Sequence, residues 1–297
     1  MTYKDQYIAS SDGRIAIRDY SGPGPDVLLI HGNGANLVAW ETTTPFLTPR
    51  RRVVGMDIRN RGLSDPANGI ETADLLASDV RAVVDGLDLK NPLIVGHSYG
   101  GQIAEHYAAR GNPYRGLALV DVMFKVMTRD GLDQDYDIED WAANARRSGD
   151  FEWPASEFPK RMRRLMEAFP SFDRDLAIQY MLRDGNVIDG VYYRKPGINS
   201  VVKAAGGKNH LEYFWPDEYD DYAEFYARIK KPILTVWGTE GIAKLYTCAN
   251  KIKRLPETLP NVQVAWIDGA DHNVAQAAPA AFAEILLAFD DELIAQS

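Results

Sequence analysis

Five apolar runs in the first 121 residues constrain the fold most: 15–20, 27–31, 52–57, 93–97 and 117–121 all read as strands. The last three are almost continuously apolar, the pattern of strands buried on both faces of a parallel sheet rather than half-exposed ones. Helical periodicity over 72–87 and 100–109 separates them. Such alternation builds βαβ units, so the chain is expected to be an α/β protein with a mostly parallel, doubly wound sheet. The same signature returns at 233–237 and 262–267, and 279–289 reads as a closing helix.

The middle of the chain breaks this pattern. Residues 122–230 lack clear buried strands yet hold 18 of the 31 aromatic residues. We read them as a mostly helical insertion, a cap, between the two parts of a core domain at 1–121 and 231–297. Lys160, Arg161, Arg163 and Arg164 read as a solvated helix face. Asp133, Asp135 and Asp137 have the spacing of a calcium loop, but Ile138 stands where such a loop needs Gly and Asn144 where it needs Glu.

Charge and composition exclude several classes. Thirty-three Lys and Arg against 42 Asp and Glu leave a net charge of −9, which repels nucleic acids and anionic membranes. No apolar run approaches the roughly 20 residues that cross a bilayer. The charged N-terminal segment lacks a secretory h-region, so a cytoplasmic protein is expected. Cys248 stands alone and reads as a packing residue, excluding an internal disulfide and a Cys-rich metal site. No metal or cofactor is expected.

Gly96-His97-Ser98-Tyr99-Gly100 follows the strand at 93–97 directly and precedes a helix. A serine hydroxyl is a poor nucleophile unless exposed, held at one angle and given a base. A sharp strand-to-helix turn supplies the first two conditions. Glycines at 96, 100 and 101 remove side chains that would collide as the turn tightens. Ser98 is therefore the candidate nucleophile. His31-Gly32-Asn33-Gly34 ends an earlier buried strand. Backbone N–H groups of Tyr99, after the nucleophile, and Asn33, from this loop, are the candidate oxyanion hole. His31 reads as a brace for its loop, and the segment from Gly55 through Asp57, Arg59 and Gly62 to Ser64 as a structural loop.

Of five histidines, His31 and His97 sit in motif turns, His106 lies within a helix and His210 in the insertion. His272 follows the last strand and precedes the last helix, at the sheet edge where ligands collect in open α/β sheets. It is the candidate base.

With its HG loop, GHSYGG elbow, cap insertion and late histidine, the chain resembles the α/β-hydrolase superfamily along essentially its whole length. The resemblance implies a catalytic acid in one of two places. Many members carry it beyond the seventh strand, where this chain has Gly241 at the expected position and Glu240 one residue away. Others, including haloalkane dehalogenases and some lactonases, carry it at the end of the sixth strand, where Asp121 stands. Asp121 is favoured, with Glu240 the alternative. The dehalogenases and epoxide hydrolases of this superfamily use a carboxylate nucleophile, whereas serine attack on an alkyl carbon would leave an ether that water cannot readily cleave. Ser98 therefore points to acyl chemistry.

The expected function is a serine hydrolase, an esterase or lactonase, acting on a bulky, largely apolar small molecule. Phe124, Trp153 and Trp215 are candidate lining residues. A carbon–carbon bond hydrolase, with Arg59 or cap arginines holding a carboxylate, a perhydrolase and a non-catalytic receptor of the same fold are the alternatives. No nucleic-acid or membrane partner is expected, and a homodimer is left open.

Overall fold

The computed structural model describes residues 2–69, 71–122, 152–194, 222–245 and 248–296. Its strands are β1 (Lys4–Ser10), β2 (Gly13–Ser21), β3 (Asp26–Ile30), β4 (Arg52–Met56), β5 (Leu93–His97), β6 (Gly116–Val120), β7 (Glu152–Pro154), β8 (Gly185–Ile188), β9 (Val191–Arg194), β10 (Ile233–Gly238) and β11 (Val262–Ile267). Eight of them form one sheet in the order β1-β2-β4-β3-β5-β6-β10-β11. The β1–β2 and β2–β4 pairings are antiparallel and the rest are parallel. This is the mostly parallel sheet that the apolar runs imply.

Burial follows the sequence pattern. Every residue of β3, β5, β6 and β10 is buried. Alternate side chains serve opposite layers: Ile94 packs beneath helices Ala73–Gly86 and Tyr99–Ala109. Leu93 and Val95 face helix Pro279–Ala295, with Phe282, Leu286 and Phe289. Each such aliphatic side chain removed from water contributes about 1.5–3 kcal/mol, which makes these two layers the main source of stability. Thr72 caps the first of these helices by accepting from Leu75 N at 3.2 Å.

β1 is the strand that apolar periodicity does not reveal. Its residues are exposed or half-buried, and its seven pairs with β2 follow from backbone bonding after the turn at Gly13.

The insertion also holds short strands beside the helices expected of it. Residues 152–194 contain helices Phe158–Ala168 and Arg174–Asp184 together with a three-stranded antiparallel sheet, β7-β9-β8. These strands have three or four residues, too few to register as a periodic run. The hairpin signal is instead Asp189-Gly190, whose φ values of 48° and 76° suit a tight left-handed turn.

This segment is fastened to the core beside the β3 loop. Phe169, Phe172, Ala177 and Tyr180 pack with Leu37, Val38 and Ala39. Asn36 Nδ2 donates to Tyr180 O at 2.9 Å, Gly62 N to Asp184 Oδ1 at 3.0 Å, and Arg183 Nε to Asp57 Oδ2 at 2.8 Å. Lys160, Arg163 and Arg164 are exposed, as a solvated face requires. Among the described residues, no helix is long and apolar enough to cross a membrane. Cys248 is buried, with its Sγ 3.9 Å from Ala243 O.

Candidate active site

Two neighbouring strand ends and one loop assemble the site. Ser98 follows β5, Asp121 follows β6, and His272 lies beyond β11, with β10 between them in the sheet. The loop carrying His272 must therefore return across the end of β10. Gly238 allows this, because a Cβ there would collide with the carbonyl oxygens of Ala270 and Asp271. Glu240 N then donates to Ala270 O at 2.9 Å and holds the crossing in place.

The crossing brings His272 Nδ1 to 2.7 Å from Asp121 Oδ2. Asp121 is fully buried, and its carboxylate also accepts from Ile242 N at 2.9 Å and Gly238 N at 3.4 Å. A carboxylate only accepts, so the proton on the His272 ring sits on Nδ1 and leaves a lone pair on Nε2. Glu240, the alternative acid, is exposed and pairs with Lys244. The structure brings Asp121 to the histidine and not Glu240.

Ser98 occupies the elbow with φ 50° and ψ −118°, a backbone conformation that side chains other than glycine rarely adopt. Its N–H donates to Val120 O at 3.0 Å, tying the elbow to β6 beside Asp121. A Cβ at Gly96 would collide with Gly100 O, and one at Gly100 with the end of β3. No hydrogen bond joins Ser98 Oγ to His272 among the described residues; such contacts often tighten only once substrate is bound. What links the two segments is His97. Its Nε2 donates to His272 O at 2.7 Å and its ring centroid lies 4.7 Å from that of His272. Burial holds His97 down to about 3, with the neighbouring His272 adding to the effect, so it remains a neutral donor.

His31 braces the loop after β3. Its Nδ1 donates to Gly32 O at 2.8 Å and its Nε2 accepts from Ile58 N at 3.0 Å. Those bonds define a neutral ring, and burial pushes it down to about 4. Its 3.9 Å approach to Asp57 is accordingly not an ion pair. Asp57 itself accepts from Leu37 N, Leu63 N and Arg183, each at 2.8 Å, and anchors the loop it begins.

Asn33 and Tyr99 flank the elbow from two sides. Tyr99 opens the helix after Ser98, where first-turn N–H groups lack intrahelical acceptors. Asn33 is exposed at the tip of its loop. Behind them lies a cluster that the sequence reading does not identify. Arg61 sits 4.8 Å above the Tyr99 ring and donates to Asn33 Oδ1 from Nη2 at 3.0 Å. It also pairs with Glu71 at 2.8 Å, while Tyr99 OH donates to Glu71 at 2.6 Å and Asn60 Nδ2 does so at 2.6 Å. Burial alone would push the Glu71 carboxyl up, but Arg61 and the two other donors outweigh it and hold it below its usual range. Neither residue shows any local pattern that marks it in the sequence.

Other candidates are placed elsewhere. Trp153 is buried, stacked on Tyr192 at 4.2 Å with Arg161 over its ring, within the packing of the small sheet. Arg59 is unsuited to holding a substrate carboxylate: it is fully buried and pairs with Asp79 at 2.5 Å. Phe124, Trp215, His210 and the Asp133–Asp137 run lie outside the described residues. Among the described residues there is no cluster of metal-ligating side chains.

The sequence model of the alpha/beta hydrolase fold family matches residues 25–275. A non-heme chloroperoxidase of Streptomyces lividans is 28% identical over 293 residues, 95% of this chain and 98% of that one. Protein phosphatase methylesterase 1 of Rattus norvegicus is 33% identical over 130 residues. That match spans 40% of this chain and only 34% of the methylesterase. Of solved structures, E-2-(acetamidomethylene)succinate hydrolase superposes with a TM-score of 0.77 at 20% identity, covering 98% of this chain and 100% of that one. A naproxen esterase of Bacillus subtilis gives 0.67 at 17% identity, covering 97% and 91%. These structural likenesses speak for the fold. Together with the sheet order and the elbow, the match over 25–275 establishes that this chain belongs to the alpha/beta hydrolase fold family.

Proposed function

We propose that this protein is a serine hydrolase that cleaves a carboxylic ester or lactone of a bulky, largely apolar substrate through an acyl-enzyme. The observation that carries the reading is the 2.7 Å Asp121–His272 contact beside a serine held at positive φ. In this mechanism His272 Nε2 takes the Ser98 proton as Oγ attacks the carbonyl carbon. The oxyanion gathers on the carbonyl oxygen, where the N–H groups of Asn33 and Tyr99 stabilise it. Collapse breaks the bond to the alkoxy group, which leaves with the proton from His272. Water, deprotonated by the same histidine, then releases the acid and restores Ser98. Asp121 keeps the imidazole in the Nδ1–H form and stabilises it when it is charged. The segment 122–230 acts as a cap over this site and sets substrate choice.

The full-length similarity to a non-heme chloroperoxidase favours one second reading. Hydrogen peroxide in place of water would turn the same acyl-enzyme into a peracid, with every earlier step unchanged. The test is a hydrolysis screen of aryl and alkyl esters, lactones and dienone acids, with and without hydrogen peroxide. Turnover of esters or lactones abolished in Ser98→Ala supports the reading; turnover confined to dienone acids overturns it.

A further inference from the structure

Asn33 and Tyr99 come from different parts of the chain, and an oxyanion hole works only if their N–H groups keep a fixed spacing around one oxygen. Tyr99 is buried and fixed by its helix. Asn33 is not: it is exposed, lies between Gly32 and Gly34, and Gly34 adopts a φ of 72°. Among the described residues, Ala35 N donates to Gly32 O at 3.2 Å within the loop, His31 Nδ1 donates to Gly32 O at 2.8 Å, and Tyr180 OH adds a long contact to Gly34 O at 3.3 Å. Among the described residues, the Asn33 side chain is held by Arg61 alone, through Nη2 at 3.0 Å and Nε at 3.3 Å.

The same guanidinium reaches the other half of the hole, resting 4.8 Å above the Tyr99 ring, whose hydroxyl shares Glu71 with it. Arg61 has no freedom to swing away. It is 3% exposed, and its Nη1 is held by Arg59 O at 2.7 Å and both Glu71 oxygens. A role in capturing a substrate carboxylate does not fit, because Glu71 already balances its charge in a dry setting. We propose that Arg61, backed by Glu71, is a positioning residue for the oxyanion hole, clamping the Asn33 loop to Tyr99. The proposal rests on the serine hydrolase reading above.

Asn33→Ala provides the cleanest test. It removes the side-chain oxygen that Arg61 grips and leaves the backbone N–H in place, on an exposed loop where folding is unaffected. A displaced donor costs on the order of 10- to 100-fold in turnover. Asn33→Ala should therefore lower kcat on an activated ester by about that factor, with KM changed less than about two-fold. Affinity for an arylboronate, which mimics the tetrahedral adduct, should fall in step. Arg61→Met should give a similar loss, and the double variant should be no worse than Arg61→Met alone, since both break one contact.

Wild-type constants in Asn33→Ala would overturn the proposal, as would losses that multiply in the double variant. Labelling of wild-type Ser98 by a fluorophosphonate separates the two levels of failure. A labelled wild type with an unaffected Asn33→Ala overturns the positioning role alone. An unlabelled, inactive wild type overturns the serine hydrolase reading and the positioning role with it.

Discussion

Acidification from pH 7.5 to 5.0 should withdraw about 4 kcal/mol of stability, because the fold keeps two histidines neutral. Burial pushes His31 down to about 4 and His97 to about 3, whereas an unfolded histidine titrates near about 6.5. Between those values the unfolded chain binds protons that the folded chain refuses. Stability therefore rises with pH across this window and falls as the solution is acidified. At pH 5.0 each histidine contributes about 2 kcal/mol of that loss, by the linkage relation. Most carboxylates are still ionised there, so the histidines dominate the change. Urea unfolding followed by tryptophan fluorescence at the two pH values measures it. His31→Gln lowers stability at pH 7.5 by removing the bonds to Gly32 and Ile58, but its loss between the two pH values should shrink to about 2 kcal/mol. A wild-type loss below about 1 kcal/mol, or an unchanged loss in His31→Gln, would refute the reasoning.

Asp121→Asn should lower kcat by about 10⁴-fold while Glu240→Gln stays within about two-fold, since only Asp121 reaches His272. Steady-state rates on one activated ester decide between them, and the reverse ranking would place the acid after β10. Gly241→Ala would set a Cβ 2.7 Å from Asp121 Oδ2, so the carboxylate must shift; kcat should drop by about ten-fold with little change in melting temperature. Arg183→Met leaves Asp57 without its cation inside the protein and should cost about 3 kcal/mol in urea unfolding.

Much of this is legible in the sequence because parallel sheets are built from continuous apolar runs. β5 and β11 fall where the runs at 93–97 and 262–267 place them, and the glycine-flanked Ser98 marks its own turn. What escapes the sequence is contact across long separations. Asp121 and His272 stand 151 positions apart, so the choice between Asp121 and Glu240 rests on how a loop crosses β10, which periodicity does not encode. The same holds for Asp57 and Arg183, 126 positions apart, while Arg61 and Glu71, though near in the chain, become a buried cluster only after folding. β1 is missed because an edge strand needs little apolar surface, and the small sheet because its strands are shorter than any period they would show. The partner of Trp153 is likewise out of reach of the sequence: its ring stacks on Tyr192 across the small sheet.

The central claim is that Ser98 Oγ becomes covalently bound to the acyl group of the substrate. Rapid acid quench of the enzyme during turnover of an activated ester, followed by peptide mass mapping, reads this directly. The account predicts one acyl group per chain on the peptide containing Ser98, and none in Ser98→Ala. An acyl group found on another side chain, or undiminished turnover by Ser98→Ala, would contradict it.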